Sequence, residues 1–331
     1  MILCFRPLSM TRALSRPIAK KLLYFIVSSF LLINHSNVLA TELDIKQVDA
    51  YLIESEKQFS DIIEGTQKKV RWYQSKQQKT KYSIVYLHGF SASSQELNPT
   101  TELLADQLQA NVFYTRLTGH GRSDDAMAEA STDDWKNDTK QAYKIGQLIG
   151  ENVIFISTST GGTLATWLLN QKDIKQPFAN IMISPNYAVA NNSAWMIKYW
   201  LGLKIAKLIK GDYYQFQPLS DAHAKYWTER YPIEAIRPML SLLDDVEIMD
   251  KSITTTPQLI VYSPDDKVID VSEIKSVAKQ FTNSSATLHE FVDSTDPYQH
   301  VLSGLACSEQ STDKMVETLL LYILSLTTDN S

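Results

Sequence analysis

The segment Ile154-Phe155-Ile156-Ser157-Thr158-Ser159-Thr160-Gly161-Gly162 runs from a short apolar stretch into a turn of hydroxyls and glycines, then into the helical pattern Thr163 to Asn170. A serine at such a strand-to-helix turn can act as a nucleophile, because the turn lifts its hydroxyl clear of the chain. The residues two before and two after it must then be small. Ser157 and Gly161 satisfy that condition around Ser159, with serine standing where the usual G-x-S-x-G pattern has its first glycine. Ser157 fails the same test, since Phe155 lies two residues before it. Helix capping by a Ser/Thr-rich turn explains the same residues without chemistry, so the partners matter. A serine hydroxyl is a poor nucleophile at neutral pH; it needs a base to take its proton and a carboxylate to hold that base in one tautomer. Two later segments supply both. The apolar run Gln258 to Tyr262 leads to Asp265 and Asp266, either of which could be the acid, although paired aspartates also serve purely local turn bonding. The run Ala286 to Val292 leads through Asp293 to Gln299 into His300, the candidate base. Nearer the start, Tyr86-Leu87-His88-Gly89-Phe90 ends a strand in a glycine turn, where the backbone N–H of Phe90 could join that of Thr160 as an oxyanion hole. Among the other histidines, His223 and His289 read as ordinary packed or surface rings, and His88 and His120 as loop residues.

Short apolar runs must position these groups, and they do so at regular intervals: Tyr82 to Leu87, Asn111 to Leu117, Asn152 to Ile156, Asn180 to Ile183, Gln258 to Tyr262 and Ala286 to Val292. Runs of this length and composition predict buried strands, and the amphipathic stretches between several of them predict helices. Alternation of the two predicts an α/β fold with a mostly parallel central sheet flanked by helices. The alternation breaks once. About seventy residues separate Pro185 from Pro257, far more than an ordinary connection, which predicts a mainly helical cap over 186–256, inserted before the strand that precedes the acid. Within it, Ser193 to Lys210 is apolar almost all round a helical wheel; it reads as a helix packed on the core or as a lid lining an acyl pocket. Residues 41–66 carry Val48, Leu52, Phe59, Ile62 and Ile63 at helical spacing and predict a leading helix. The catalytic core is therefore expected over 67–185 and 257–328.

Five segments in this order resemble the α/β-hydrolase superfamily, near its monoglyceride lipase and bacterial carboxylesterase-like members. They are His88-Gly89-Phe90; Leu117-Thr118-Gly119-His120-Gly121-Arg122-Ser123, similar to a P-G-H-G-x-S loop; the Ser159 turn; and the Asp266 and His300 segments. The resemblance spans most of Lys69 to Leu326, and Trp135 with Asp138 fits the family's helix before the nucleophile strand. It implies the α/β-hydrolase fold and a triad of Ser159, Asp266 and His300. It favours Asp266 over Asp265, because the family's acid is followed by one variable residue and then an apolar pair, here Val268-Ile269. It also implies a loop-shaping role for Gly119 to Ser123, with His120 structural. Haloalkane dehalogenases and many epoxide hydrolases of this fold carry aspartate where this chain has Ser159, and proline-releasing peptidases usually carry tryptophan where it has Thr160.

Composition narrows the setting. Residues 1–40 carry five basic residues and no acid, then the apolar run Leu22 to Ile33 and Val38-Leu39-Ala40, the order of a signal peptide cleaved after Ala40. Met10 competes with Met1 as the start. An N-terminal membrane anchor is the alternative, disfavoured by the shortness of the run. Cleavage would leave 27 basic against 37 acidic residues, a formal charge of -10, which repels nucleic acid. An exported, periplasmic or secreted protein would then hold one cysteine, Cys307, and no internal disulfide. No metal-ligand spacing and no glycine-rich phosphate loop is present, so neither a metal nor a cofactor is expected. The expected activity is a serine esterase acting on small or lipid-derived acyl esters through an acyl-enzyme, with transient membrane-surface contact through the cap. A thioesterase, a serine aminopeptidase, or a non-catalytic hydrolase-like binding protein of the cell envelope are the alternatives.

Overall fold

A computed structural model describes residues 43–190 and 194–328. The expected signal peptide, its cleavage point and the start-site question lie outside the described residues, as does Ser193. Among the described residues no helix is long and apolar enough to cross a membrane.

Seven strands form the central sheet. They are β1 (Lys69–Arg71), β2 (Thr80–Leu87), β3 (Asn111–Tyr114), β4 (Gly150–Thr158), β5 (Ala179–Ile183), β8 (Gln258–Tyr262) and β9 (Ala286–Glu290), in spatial order β1-β3-β2-β4-β5-β8-β9. Only β1 runs antiparallel, against β3; the other neighbours pair in parallel. The central strands are buried along their length because helices cover both faces. Those helices are α2 (Thr100–Leu108), α3 (Thr132–Ile149), α4 (Thr160–Leu169), α8 (Val271–Ala278) and α9 (Thr312–Thr328). Local chemistry fixes where α3 begins: Ser131 Oγ accepts from the Asp134 N–H while Asp134 Oδ2 accepts from the Ser131 N–H, a capping box. Parallel pairing then sends the ends of β2, β4, β8 and β9 to one edge of the sheet, which is why residues far apart in sequence can meet there.

Two elements differ from the sequence pattern. The leading helix α1 covers only Val48–Glu56. Beyond it, tertiary bonds outcompete continued helix: Phe59 lies under the guanidinium groups of Arg116 and Arg122, Asp61 accepts from Arg122 and Ser123, and the Ile63 N–H donates to Gly121 O. The stretch between β5 and β8 contains a 3-10 turn (Ala194–Lys198), α5 (Trp200–Lys210), α6 (Asp221–Tyr226) and α7 (Arg237–Glu247), but also an antiparallel pair, β6 (Tyr213–Gln215) and β7 (Arg230–Pro232). Three-residue strands with aromatic residues carry no period that a sequence window can register. Helix α5 is not packed into the core. None of its residues is buried, and Leu208 is 87% and Ile209 71% exposed.

Candidate active site

Ser159 occupies the turn between β4 and α4 with φ 50 and ψ -118, a conformation that a non-glycine residue holds only when its surroundings enforce it. Four backbone bonds do so. The Ser159 N–H donates to Ile183 O, and Ser159 O accepts from the Gly162, Thr163 and Asn186 N–H groups. Helix α4 must lie close against β2, and Gly161 allows it: a Cβ there would fall 2.2 Å from Leu87 O. Ser157, where a glycine is usual, points its hydroxyl into β5 and donates to Ile181 O at 3.3 Å, so the oxygen is buried and satisfied.

Asp266 and His300 are joined. His300 Nδ1 lies 2.8 Å from Asp266 Oδ2, and the aspartate side chain is fully buried. The other oxygen, Oδ1, accepts from the Val268 and Ile269 N–H groups at 2.8 and 3.1 Å, so the carboxylate is fixed from behind. Asp265 remains on the surface, its N–H donating to Ser263 Oγ. The loops bearing acid and base are tied together where the Lys267 N–H donates to Tyr298 O. Burial by itself would lower the His300 pKa, but the Asp266 carboxylate, with Glu96 and Asp296 adding their charge, raises it above the ordinary imidazole value. A donating Nδ1–H leaves Nε2 free to accept a proton. No hydrogen bond joins Ser159 to His300; nucleophile–base contacts of this kind commonly tighten only in the complex with substrate.

The Phe90 N–H is aimed by what surrounds Gly89. Gly89 O accepts from the Ala92 N–H and faces His88 Nδ1 at 2.9 Å; in a planar trans peptide the following N–H must then point the opposite way. His88 Nε2 accepts from the Leu117 N–H, so the ring bridges two loops in its neutral form. Burial lowers its pKa to about 4. His120 packs beside it, ring centroids 5.0 Å apart, and burial lowers its pKa well below the usual value. These two histidines are structural supports. The loop before His120 is clamped by α3, where Trp135 Nε1 donates to Thr118 O and Asp138 Oδ2 accepts from the Thr118 N–H and hydroxyl. Thr160 is the first residue of α4, and first-turn amides have no acceptor within their own helix.

Two buried carboxylates escaped the motif search. Asp296 accepts from the Tyr298, His300 and Val301 N–H groups, shaping the loop that carries His300; an aspartate four residues before His300 was the available signal. Glu96 lies beneath the Gly89 turn and announces itself by no spacing. Beside the turn, Phe90, Met127, Phe216, Tyr231 and Ala235 form an apolar cluster that includes residues of the inserted stretch. A cavity of about 520 Å³ lined by Lys198, Glu234, Arg237 and Asp244, among others, includes none of the Ser159, Asp266 or His300 side chains. No group of His, Cys, Asp and Glu among the described residues could hold a metal ion.

The arrangement suits addition of a hydroxyl to a carbonyl with charge developing at backbone donors. A family model described as serine aminopeptidase, S33, matches residues 78–294. Among solved structures, a metagenome-derived lipolytic enzyme aligns with TM-score 0.62 at 17% identity, covering 80% of this chain and 99% of that one. A monoacylglycerol lipase of Paleococcus ferrophilus aligns with TM-score 0.55 at 12% identity, covering 75% and 96%. A soluble variant of monoglyceride lipase from Saccharomyces cerevisiae, in complex with a substrate analogue, gives 0.54 at 11%, covering 75% and 87%. At such identities the likeness shows the fold. No curated protein sequence matches the chain.

Proposed function

Because the chain belongs to the serine aminopeptidase S33 family of serine hydrolases, with the α/β-hydrolase sheet that positions such sites, we propose that it cleaves carboxylic esters through an acyl-enzyme on Ser159. The buried 2.8 Å bond between Asp266 and His300 carries this reading. A carboxylate held by two loop amides and bonded to Nδ1 is the device that leaves an imidazole ready at Nε2.

In the proposed cycle, Ser159 Oγ attacks the acyl carbon as His300 Nε2 takes its proton. The carbonyl oxygen becomes an oxyanion facing the Phe90 and Thr160 N–H groups, and the amino end of α4 adds favourable potential. Collapse breaks the ester C–O bond, and His300 returns the proton to the departing alcohol. Water then repeats the sequence on the acyl-enzyme and releases the acid. The apolar cluster around Phe90 and Tyr231 supports an apolar acyl group as substrate. A thioester uses the same steps, and the family's description keeps N-terminal amides in view. Chromogenic esters of increasing chain length, thioesters and aminoacyl anilides, each assayed with wild-type protein and Ser159→Ala, separate these substrates. Turnover of none of them by the wild-type protein, together with no labelling by a fluorophosphonate, would leave the non-catalytic binding protein as the surviving account.

Export to the periplasm or medium is proposed from the basic, apolar and small-residue order of residues 1–40. Membrane-surface contact is supported by α5: Leu201, Ile205, Leu208 and Ile209 face solvent, with exposed Lys204 and Lys210 among them. Apolar side chains beside lysines are the composition that rests in a lipid headgroup layer.

A further inference from the structure

Glu96 lies in the loop between β2 and α2 and is 2% exposed. Its Oε2 accepts from the Gly89 N–H at 2.8 Å and from the Tyr86 hydroxyl at 3.0 Å. The Tyr86 hydroxyl is in turn 3.1 Å from Thr158 Oγ1, on the residue before Ser159. A Cβ built on Gly89 would stand 2.9 Å from Glu96 Oε1 and 3.2 Å from Ser159 Cβ, so the carboxylate, the glycine turn and the nucleophile meet at one point. The loop is also braced against the chain after His300. Leu305 N–H donates to Asn98 O, Thr100 and Ser303 hydroxyls lie 2.5 Å apart, and Gly304 packs on Glu96 O. A buried carboxylate is expensive unless hydrogen-bonded, and packing alone could be served by a glutamine or methionine of similar size.

We propose that Glu96 is a positioning residue of the acyl-transfer site, locking the Gly89 turn so that the Phe90 N–H faces the oxyanion. The proposal rests on the Ser159 reading above. The lock follows from the two peptide planes that flank Gly89. One has its N–H held by Glu96, and the other has its carbonyl held by Ala92 and facing His88. With both planes fixed, the Phe90 N–H cannot swing away when the oxyanion forms, and a donor that needs no reorganisation is worth most. The groups that face Glu96 are Tyr86, Thr158, Gly89 and His300; burial, the largest influence, raises the Glu96 pKa to about 7 against the opposing effect of those partners. Cys307, also in the field of Glu96, has its thiol pushed far up by burial and takes no charge at working pH.

The test compares E96Q, which keeps an acceptor for Gly89 and removes the charge, with E96A, which removes both. The readouts are ester turnover from pH 5 to 9 and, independently of substrate class, the rate of Ser159 labelling by a fluorophosphonate. E96Q is expected to hold kcat and the labelling rate within about threefold of wild type, because its amide oxygen still accepts from the Gly89 N–H. E96A is expected to lower kcat about tenfold or more with KM within about twofold, a fraction of what loss of a whole oxyanion donor costs. A purely structural glutamate would lower Tm in both variants while leaving kcat and the labelling rate of E96A unchanged, and that result overturns the proposal, as does E96Q as slow as E96A. If E96A does not fold, E96M, which fills the space without an oxygen acceptor for Gly89, is measured in its place with the same loss expected. Labelling without ester turnover removes only the ester assignment; no labelling of the wild-type protein removes this proposal together with the Ser159 reading.

Discussion

Replacing Asp266 with asparagine tests the site where its geometry is most constrained. The carboxylate has one oxygen facing two donors, the Val268 and Ile269 N–H groups, and the other facing His300 Nδ1. Asparagine offers only one acceptor oxygen. If that oxygen stays with the two loop amides, the NH₂ group must face Nδ1, which can then only accept. The imidazole proton is thereby forced onto Nε2, and the base is lost. The reverse orientation would set an NH₂ against two N–H donors with nothing between them, at a cost of roughly 1–3 kcal/mol for each stranded group. The tautomer error is therefore the cheaper outcome. Its kinetic consequence in a serine triad is about four orders of magnitude in kcat, or about 5.5 kcal/mol of barrier. KM should change little, since the carboxylate faces His300 and not the acyl group. Asp265→Asn, at an exposed residue whose N–H donates to Ser263 Oγ, should match wild type. Steady-state kinetics on the best chromogenic ester, with fluorophosphonate labelling as a second readout, measure both variants. D266N within tenfold of wild-type kcat, or D265N as damaged as D266N, would refute the tautomer argument.

Two further outcomes follow from groups outside the reacting centre. His88 and His120 are buried and neutral, with folded pKa values depressed to about 4 for His88 and well below the usual 6.5 for His120. Their stabilisation is complete above pH 6.5 and is lost as pH falls, because the unfolded chain takes up protons that the fold refuses; His88 contributes up to about 1.4 kcal/mol per pH unit between 6.5 and its folded value of about 4. His300, with a raised folded value, opposes this, since its contribution is present at low pH and fades as pH rises through its folded value. His88→Gln should flatten the acid-side slope of unfolding free energy, measured in urea between pH 4.5 and 6.5, by about 1.4 kcal/mol per pH unit; an unchanged slope would mean that His88 charges in the native state. On the surface, replacing Leu208 and Ile209 of α5 with aspartate should abolish co-flotation with vesicles containing anionic lipid and leave turnover of a soluble short-chain ester intact. Each buried aliphatic side chain is worth about 1.5–3 kcal/mol, and equal flotation of the double variant would remove the membrane-surface reading.

What could be read from the sequence was what local chemistry specifies. The turn at Ser159 is local: a small residue at 157, glycine at 161 and an apolar strand before them suffice to call it, and the fold's parallel sheet follows from the same alternation of runs. The choice between Asp265 and Asp266 is not local, since both follow the same strand; it is made by the amides of Val268 and Ile269, which draw one carboxylate inward. The leading helix stops at Glu56 because Arg116 and Arg122 engage Phe59 and Asp61 from sixty residues away, and no helical wheel contains them. Helix α5 is the reverse case. Its apolar residues were visible, but a pattern reports that a face is apolar and not whether that face meets core or solvent.

Glu96 and Asp296 are the least legible residues of all, and for a common reason. Each is a carboxylate whose partners are backbone N–H groups: Gly89 for the first, and Tyr298, His300 and Val301 for the second. Every residue except proline carries that donor, so the sequence does not mark which amides a turn leaves unpaired. A catalytic side chain must be of one chemical type and is found by its type. A group that aims a backbone donor need only be an acceptor at the right point in space, and many sequences could supply one. Motif reading therefore favours side chains of reactive type and overlooks those that hold a turn still, although the work of an oxyanion hole depends on donors fixed before the charge appears.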